Sequence, residues 1–368
     1  MLRDARIEKW ADVIVRYCLE LKAGQWLLLQ GNSLAYPLLE ALYRATLKVG
    51  ARPDLRIGFP ELEEIFLRDA PEETLDWVSP SMKYEMEHVD ARFVILSTHN
   101  TKNLSGADPS RQQRQAKARG ALLQTMLERA AKKEMRWSLT LYPHPAAAQD
   151  AEMGMEEYGE FIFDACLLNY DDPVAEWRKV ETSQEKWVQF LNQAKELHFK
   201  ADGTDLRIKV DGRKWINCCG HENFPDGEIF TGPIEDGTEG VVRFTYPAVQ
   251  HGREIEGIEL TFQKGVVVKA KATKNDAYLQ KLLETDEGAR RLGEAAIGTN
   301  PRIQRFTKNI LLDEKIGGTF HLAIGASYPE TGATNKSAIH VDMICNLRDG
   351  GQIFADGKLF YKDGKFLF

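Results

Sequence analysis

The chain has 368 residues, 43% of them hydrophobic and 28% charged, with a formal charge of −7 at neutral pH. This is the composition of a soluble globular protein too long for one ordinary core, so two domains are expected. The acidic balance counts against nucleic acid as a general partner. Five scattered cysteines (Cys18, Cys166, Cys218, Cys219, Cys345), odd in number and without a C-x-x-C pair, are no disulfide framework and point to a reducing compartment. The opening MLRDARIEKWADVIV is charged where a signal peptide would be apolar. No apolar run of about 18 residues follows, so a cytoplasmic protein without a membrane span is expected.

The first third reads as α/β. Apolar residues at helical spacing (Ile7, Trp10, Val13, Ile14, Tyr17, Leu21) predict a helix over 3–21, ended by Gly24. A buried strand at 25–30, a turn at Gly31-Asn32-Ser33, a helix over 35–49 and a strand at 54–57 make a βαβ unit. The turn could hold a phosphate at the helix N-terminus, but the Rossmann glycines and the Walker A lysine are both absent. Helices over 61–69 and 71–78 precede a strong strand at 92–97, with His99 and Asn100 just past its carboxyl end. A long helix follows over 109–133, starting with the basic run RQQRQAKARG. No aromatic residue interleaves that run, so it reads as a solvated face. A strand at 136–141 and helices over 156–168 and 173–197 complete the half.

Composition changes near Asp202-Gly203, giving an N-terminal α/β domain over 1–200 and a C-terminal domain over 201–368. The fold class is α/β. A βαβ-type parallel-sheet domain precedes an α+β domain whose sheet is mainly antiparallel. Strands are expected at 206–210, 240–246, 253–262 and 266–273, the last two joined by a Lys264-Gly265 hairpin.

The chemistry gathers in this second half. In the alternating run Ile339-His340-Val341-Asp342-Met343, His340 and Asp342 share one strand face, roughly 6.5 Å apart along it. His321 opens another strand seven residues after Asp313-Glu314. Such donors suit zinc, cobalt, manganese or iron, although two satisfied histidines and an exposed aspartate would give the same letters. Glu228 lies in FPDGEIFTGP and Glu294 in LGEAAIG, each among apolar or small residues. Each is either exposed or neutralised by something positive. Together with Glu314 these make six candidate ligands, which suits two ions better than one.

DGEIFTGP, GEAAIG, LLDEK followed by HLAIGASY, and the closing N-x-S-A-I-H-x-D resemble the aminopeptidase T family of metallo-aminopeptidases. The resemblance is strongest over 205–345. It implies a cytoplasmic, homodimeric exopeptidase with two divalent ions per chain (zinc, cobalt or manganese) in its C-terminal domain, acting on peptides with a free N-terminus. It implies Glu228, Glu294, His321, His340 and Asp342 as ligands, with Glu294 shared between the ions. It also implies Glu314 as a ligand or general base and Tyr328 as a residue acting on the substrate.

Apart from the resemblance, two divalent ions can share a water and bring its pKa from 15.7 toward about 7, so that it attacks the first peptide carbonyl. An open position on the second ion would recognise the α-amine. Tyr328 could donate to the tetrahedral oxyanion, or simply plug the site. The rival reading is a non-haem Fe(II) oxygenase with His321, His340 and Asp342 as a facial triad, which leaves Glu228 and Glu294 without a metal.

Overall fold

In the computed structural model, residues 4–250 and 252–368 are described. The chain is mixed α/β and divides into two compact units. One runs to Glu176 and includes Gly220–Pro225; the other comprises Trp177–Cys219 and Asp226–Phe368.

The first unit is built on a five-stranded parallel sheet. Its order is Arg52–Ile57, Trp26–Gly31, Ala91–Leu96, Arg136–Leu141 and the two-residue strand Asn223–Phe224. Buried runs such as Leu27-Leu28-Leu29 are what a sheet covered on both faces demands. The expected first helix begins as Ala5–Val13 and continues as a π-helical turn, Ile14–Cys18; its expected start at Arg3 lies outside the described residues. The segment expected as a helix over 71–78 forms a single turn, Glu72–Leu75, followed by a further helix, Pro80–His88. Asn32 is committed to structure: its carboxamide donates to Ser97 O (2.6 Å) and accepts from the Leu34 amide (3.0 Å). The basic helix spans Pro109–Ala131. Arg111 and Arg114 pair with Glu72, Arg114 also with Asp76, and Arg119 with Glu63, so the charge run is satisfied by neighbouring acids.

The second unit packs two antiparallel sheets on one core. The larger has eight strands in the order Val266–Lys271, Glu259–Gln263, Thr238–Arg243, Thr204–Lys209, Glu196–Ala201, Gln352–Ala355, Lys358–Lys362, Lys365–Phe366. The smaller has five: His340–Asn346, Thr319–Gly325, Leu292–Gly298, Glu228–Thr231, Ile216–Cys218. Phe199 of the first meets Phe320 of the second with ring centroids 4.7 Å apart.

Two expected elements depart most from their expected bounds. The helix over 173–197 stops at Leu191, and Glu196–Ala201 is a strand. Leu191, Ala194 and Leu197 fit the helical period, but pairing of Leu197 with Ile208 and Phe199 with Leu206 buries both residues in the sheet, and that burial decides. The run 253–262 breaks into Arg253–Ile255 and Glu259–Gln263. The break is at Gly257 (φ 62°), where a Cβ would stand 2.5 Å from Thr273 Oγ1. The Lys264-Gly265 hairpin forms as expected, both residues having positive φ. Among the described residues no helix is long and apolar enough to cross a membrane.

Candidate metal centre

The five-stranded antiparallel sheet sorts its side chains by alternation. Ile229, Ala295, Ile297, Phe320, Leu322, Ile324, Val341, Met343 and Cys345 face the shared core. The residues between them therefore share the other face. Pairings of Gly298 with Glu228, Ala296 with His321, Glu294 with Ala323, Ala323 with Asp342 and Gly325 with His340 set Glu228, Glu294, His321, His340 and Asp342 on that face. Alternation read from the sequence placed His340 and Asp342 together; the cross-strand register brings in the other three.

Close backbone approach completes the site. A Cβ on Gly298 would stand 2.3 Å from Ile316 O and 3.0 Å from Glu314 O, so glycine lets the Glu314 segment lie against the Glu294 strand. Glu314 follows the short helix Ile310–Asp313 and joins His321 and Asp342 in one donor group.

The contacts are short and buried. His321 Nε2 lies 3.3 Å from Glu228 Oε2 and 3.6 Å from Glu294 Oε1. His340 Nε2 lies 3.2 Å from Glu294 Oε2 and 3.4 Å from Asp342 Oδ1. Three donor sets made only of these six residues fall within 4.8 Å: Glu228, Glu294 and His321; Glu294, His340 and Asp342; Glu314, His321 and Asp342. His340 Nδ1 contacts the Ala326 carbonyl at 2.8 Å. With Nδ1 as donor to that carbonyl, Nε2 is the nitrogen that faces the carboxylates.

Burial and charge set the proton affinities. Burial lowers the His321 and His340 pKa values, but the surrounding carboxylates prevail and raise them to about 9 and about 11. Burial raises Glu314 to about 8 and raises Glu228 as well. Glu294 and Asp342 are buried too, yet the adjacent imidazoles hold both low. Tyr328 stands at the edge of the site, its ring 5.3 Å from that of His340 and 5.2 Å from that of Phe230. Although the residue as a whole is 41% exposed, enclosure of its phenol beside the site and then the carboxylates push its pKa up, so it remains a hydroxyl donor.

The donor set fits a divalent metal. His321 is fully buried and neither ring nitrogen has a hydrogen-bond partner; Glu228 Oε2 and Asp342 Oδ1 are buried and equally unsatisfied. Buried polar atoms left unpaired cost about 1–3 kcal/mol each; a cation beside Glu228 would satisfy its Oε2 and His321 Nε2, and one in a neighbouring donor group would satisfy Asp342 Oδ1. Mixed carboxylate and imidazole donors suit zinc, manganese or cobalt.

The structure also brings in two residues that the sequence did not single out. Asp226 and Lys315 are buried in the same cluster, Lys315 Nζ lying 3.8 Å from Asp226 Oδ1 and 3.4 Å from Glu228 Oε1, and in contact with Glu314 Oε1. The only prior signal was proximity in sequence, Asp226 two residues before Glu228 and Lys315 next to Glu314.

An α/β scaffold with this cluster of carboxylates and imidazoles is that of a metal-dependent enzyme. The chain belongs to the thermophilic metalloprotease (M29) family, whose profile matches residues 3–366. It is 30% identical to aminopeptidase T of Thermus thermophilus, over 97% of this chain and 95% of that one. To aminopeptidase AmpS of Bacillus subtilis it is 29% identical, over 99% and 98%. The structure of wild-type AmpT from Thermus thermophilus superposes with a TM-score of 0.86 at 28% identity, covering 99% of both chains. Membership of a metalloprotease family displaces the oxygenase alternative, as does the distribution of the two histidines and Asp342 among carboxylate-bearing groups rather than in one isolated triad.

Proposed function

We propose that this protein is an aminopeptidase that removes the N-terminal residue of peptides, with two divalent ions (zinc, cobalt or manganese) held in the second unit, its catalytic domain. One observation carries the two-ion reading. The oxygens of Glu294 face different histidines, at 3.6 and 3.2 Å, and no donor group contains both histidines. Glu228, His321 and Glu314 would hold one ion, and His340 and Asp342 the other, with Glu294 between them. When bound, the ions would supply Lewis acidity, a water made acidic enough to ionise near neutral pH, and a partner for a neutral α-amine.

The chain's own residues do the rest. Glu314 serves as a ligand rather than as the base: Lys315 holds its Oε1, and the carboxylate joins the His321 and Asp342 donors. Tyr328 donates its hydroxyl to the carbonyl oxygen as that oxygen gains charge. The Ala326 carbonyl fixes the His340 ring through Nδ1. The cytoplasmic location and the homodimer belong to the same proposal and rest on the family likeness and the scattered cysteines.

Hydrolysis of Leu-Gly-Gly and N-acetyl-Leu-Gly-Gly tests the reading, because acylation removes the amine's lone pair. The free peptide is expected to lose leucine while the acetylated one stays intact. Cleavage of both at the same bond with similar efficiency would make the enzyme a general metallopeptidase.

A further inference from the structure

Lys315 is one of the largest fully buried side chains of the described residues, at 0% exposure. Its backbone is pinned by hydrogen bonds from its amide to Leu312 O and from the Asn300 amide to its carbonyl, both 3.1 Å. An ammonium in a dry interior is costly unless it is well paired, so the placement needs a reason.

The reason lies in how the ammonium divides the carboxylates. Lys315 Nζ lies 3.4 Å from Glu228 Oε1, while Glu228 Oε2 stands 3.3 Å from His321 Nε2 without a hydrogen-bond partner. The ammonium likewise contacts Glu314 Oε1, leaving Oε2 as the other oxygen of that carboxylate. Charge points the same way. Asp226, Glu228, Glu294, Glu314 and Asp342 bring five negative charges, two divalent ions answer four, and the lysine answers the fifth.

We infer that Lys315 is a positioning residue of the metal centre, holding Glu228 and Glu314 as one-oxygen donors while balancing the centre's charge. The inference rests on the two-ion reading above. Without the ammonium, both carboxylates are free to chelate through two oxygens, which fills coordination positions that the substrate needs.

Lys315→Met removes the charge at nearly constant shape, and Lys315→Gln keeps a single amide donor. Zinc per chain is measured by elemental analysis, and the cobalt-loaded proteins by visible absorption. Lys315→Met is expected to keep two ions but show weaker, shifted cobalt bands, as a higher coordination number gives, with Lys315→Gln intermediate. Its kcat is expected to fall about 10–100-fold with KM within about twofold, the usual size of an effect exerted through ligands. Cobalt spectra identical to wild type would overturn the inference while leaving the two-ion reading intact. Failure of both variants to fold in saturating zinc would also overturn it, making Lys315 a structural ion pair. If the wild-type chain itself takes up no zinc, the two-ion reading fails and the inference falls with it.

Discussion

Glu294 has no rotamer to spare: one oxygen faces His321 and the other faces His340, and the residue is buried in a strand whose neighbours are alanine and glycine. A carboxylate can serve two cations at once in that position, whereas a carboxamide has one oxygen and no charge. Glu294→Gln is therefore expected to lose both ions together, with the circular dichroism spectrum unchanged, whereas His340→Ala keeps one. Elemental analysis of the purified variants decides, and two ions held at wild-type affinity in Glu294→Gln would remove this residue from the centre. Tyr328 lends itself to a cleaner substitution because it is 41% exposed and packs only by its ring. Tyr328→Phe keeps that packing, so stability should move by no more than about 0.5 kcal/mol. Loss of the hydroxyl should lower kcat by about 10²–10³ with little change in KM, the usual cost of one oxyanion donor. A kcat within a factor of about two of wild type would leave Tyr328 as a plug at the site edge.

At the level of elements, the centre is one face of one sheet together with a loop pressed against it, and glycine permits the contact. Gly298→Val should drive the Ile316 carbonyl away from the strand and carry Glu314 and Lys315 with it. A destabilisation of about 1–3 kcal/mol is expected from such overpacking, with weaker zinc binding. Gly120→Ala, in an open position on the long helix, is the control and should stabilise by up to about 1 kcal/mol. Equal effects of the two substitutions on zinc affinity, measured by competition with a chelator, would count against a role for this contact. The same geometry explains what could be read in advance. His340 and Asp342 were legible because strand alternation acts over two residues, and Glu228 and Glu294 because acids among apolar neighbours are conspicuous. The burial of Lys315 and Asp226 was not legible, because a charged side chain reads as surface until distant strands supply its partners. The strand at Glu196–Ala201 was hidden for a related reason, since its apolar residues fit a helix until Leu206 and Ile208 pair with them.

For the whole molecule, the proton affinities of the centre couple metal loading to folding. In the metal-free chain at neutral pH, His321 and His340 are cations, with folded pKa values of about 9 and about 11 against an unfolded value of about 6.5. Because these values are raised, the stabilisation they give is complete below about pH 6.5. It is lost as pH climbs through the folded values. Glu314, raised to about 8, also binds its proton more firmly when folded, so its contribution has the same sign and runs out near pH 8. The metal-free protein should therefore lose stability steadily from pH 6.5 to 8.5. Zinc competes with those same protons, so its affinity should rise over that interval as fewer must be expelled. A ligand at 100 times its Kd adds about 2.7 kcal/mol, so the effect is readable as a shift in melting temperature. Thermal unfolding of chelator-stripped protein, with and without a fixed excess of zinc, should show a gap that widens with each step from pH 6 to 8.5. A gap that stays constant or narrows as pH rises would mean that the imidazoles and Glu314 are not the groups the metal displaces protons from.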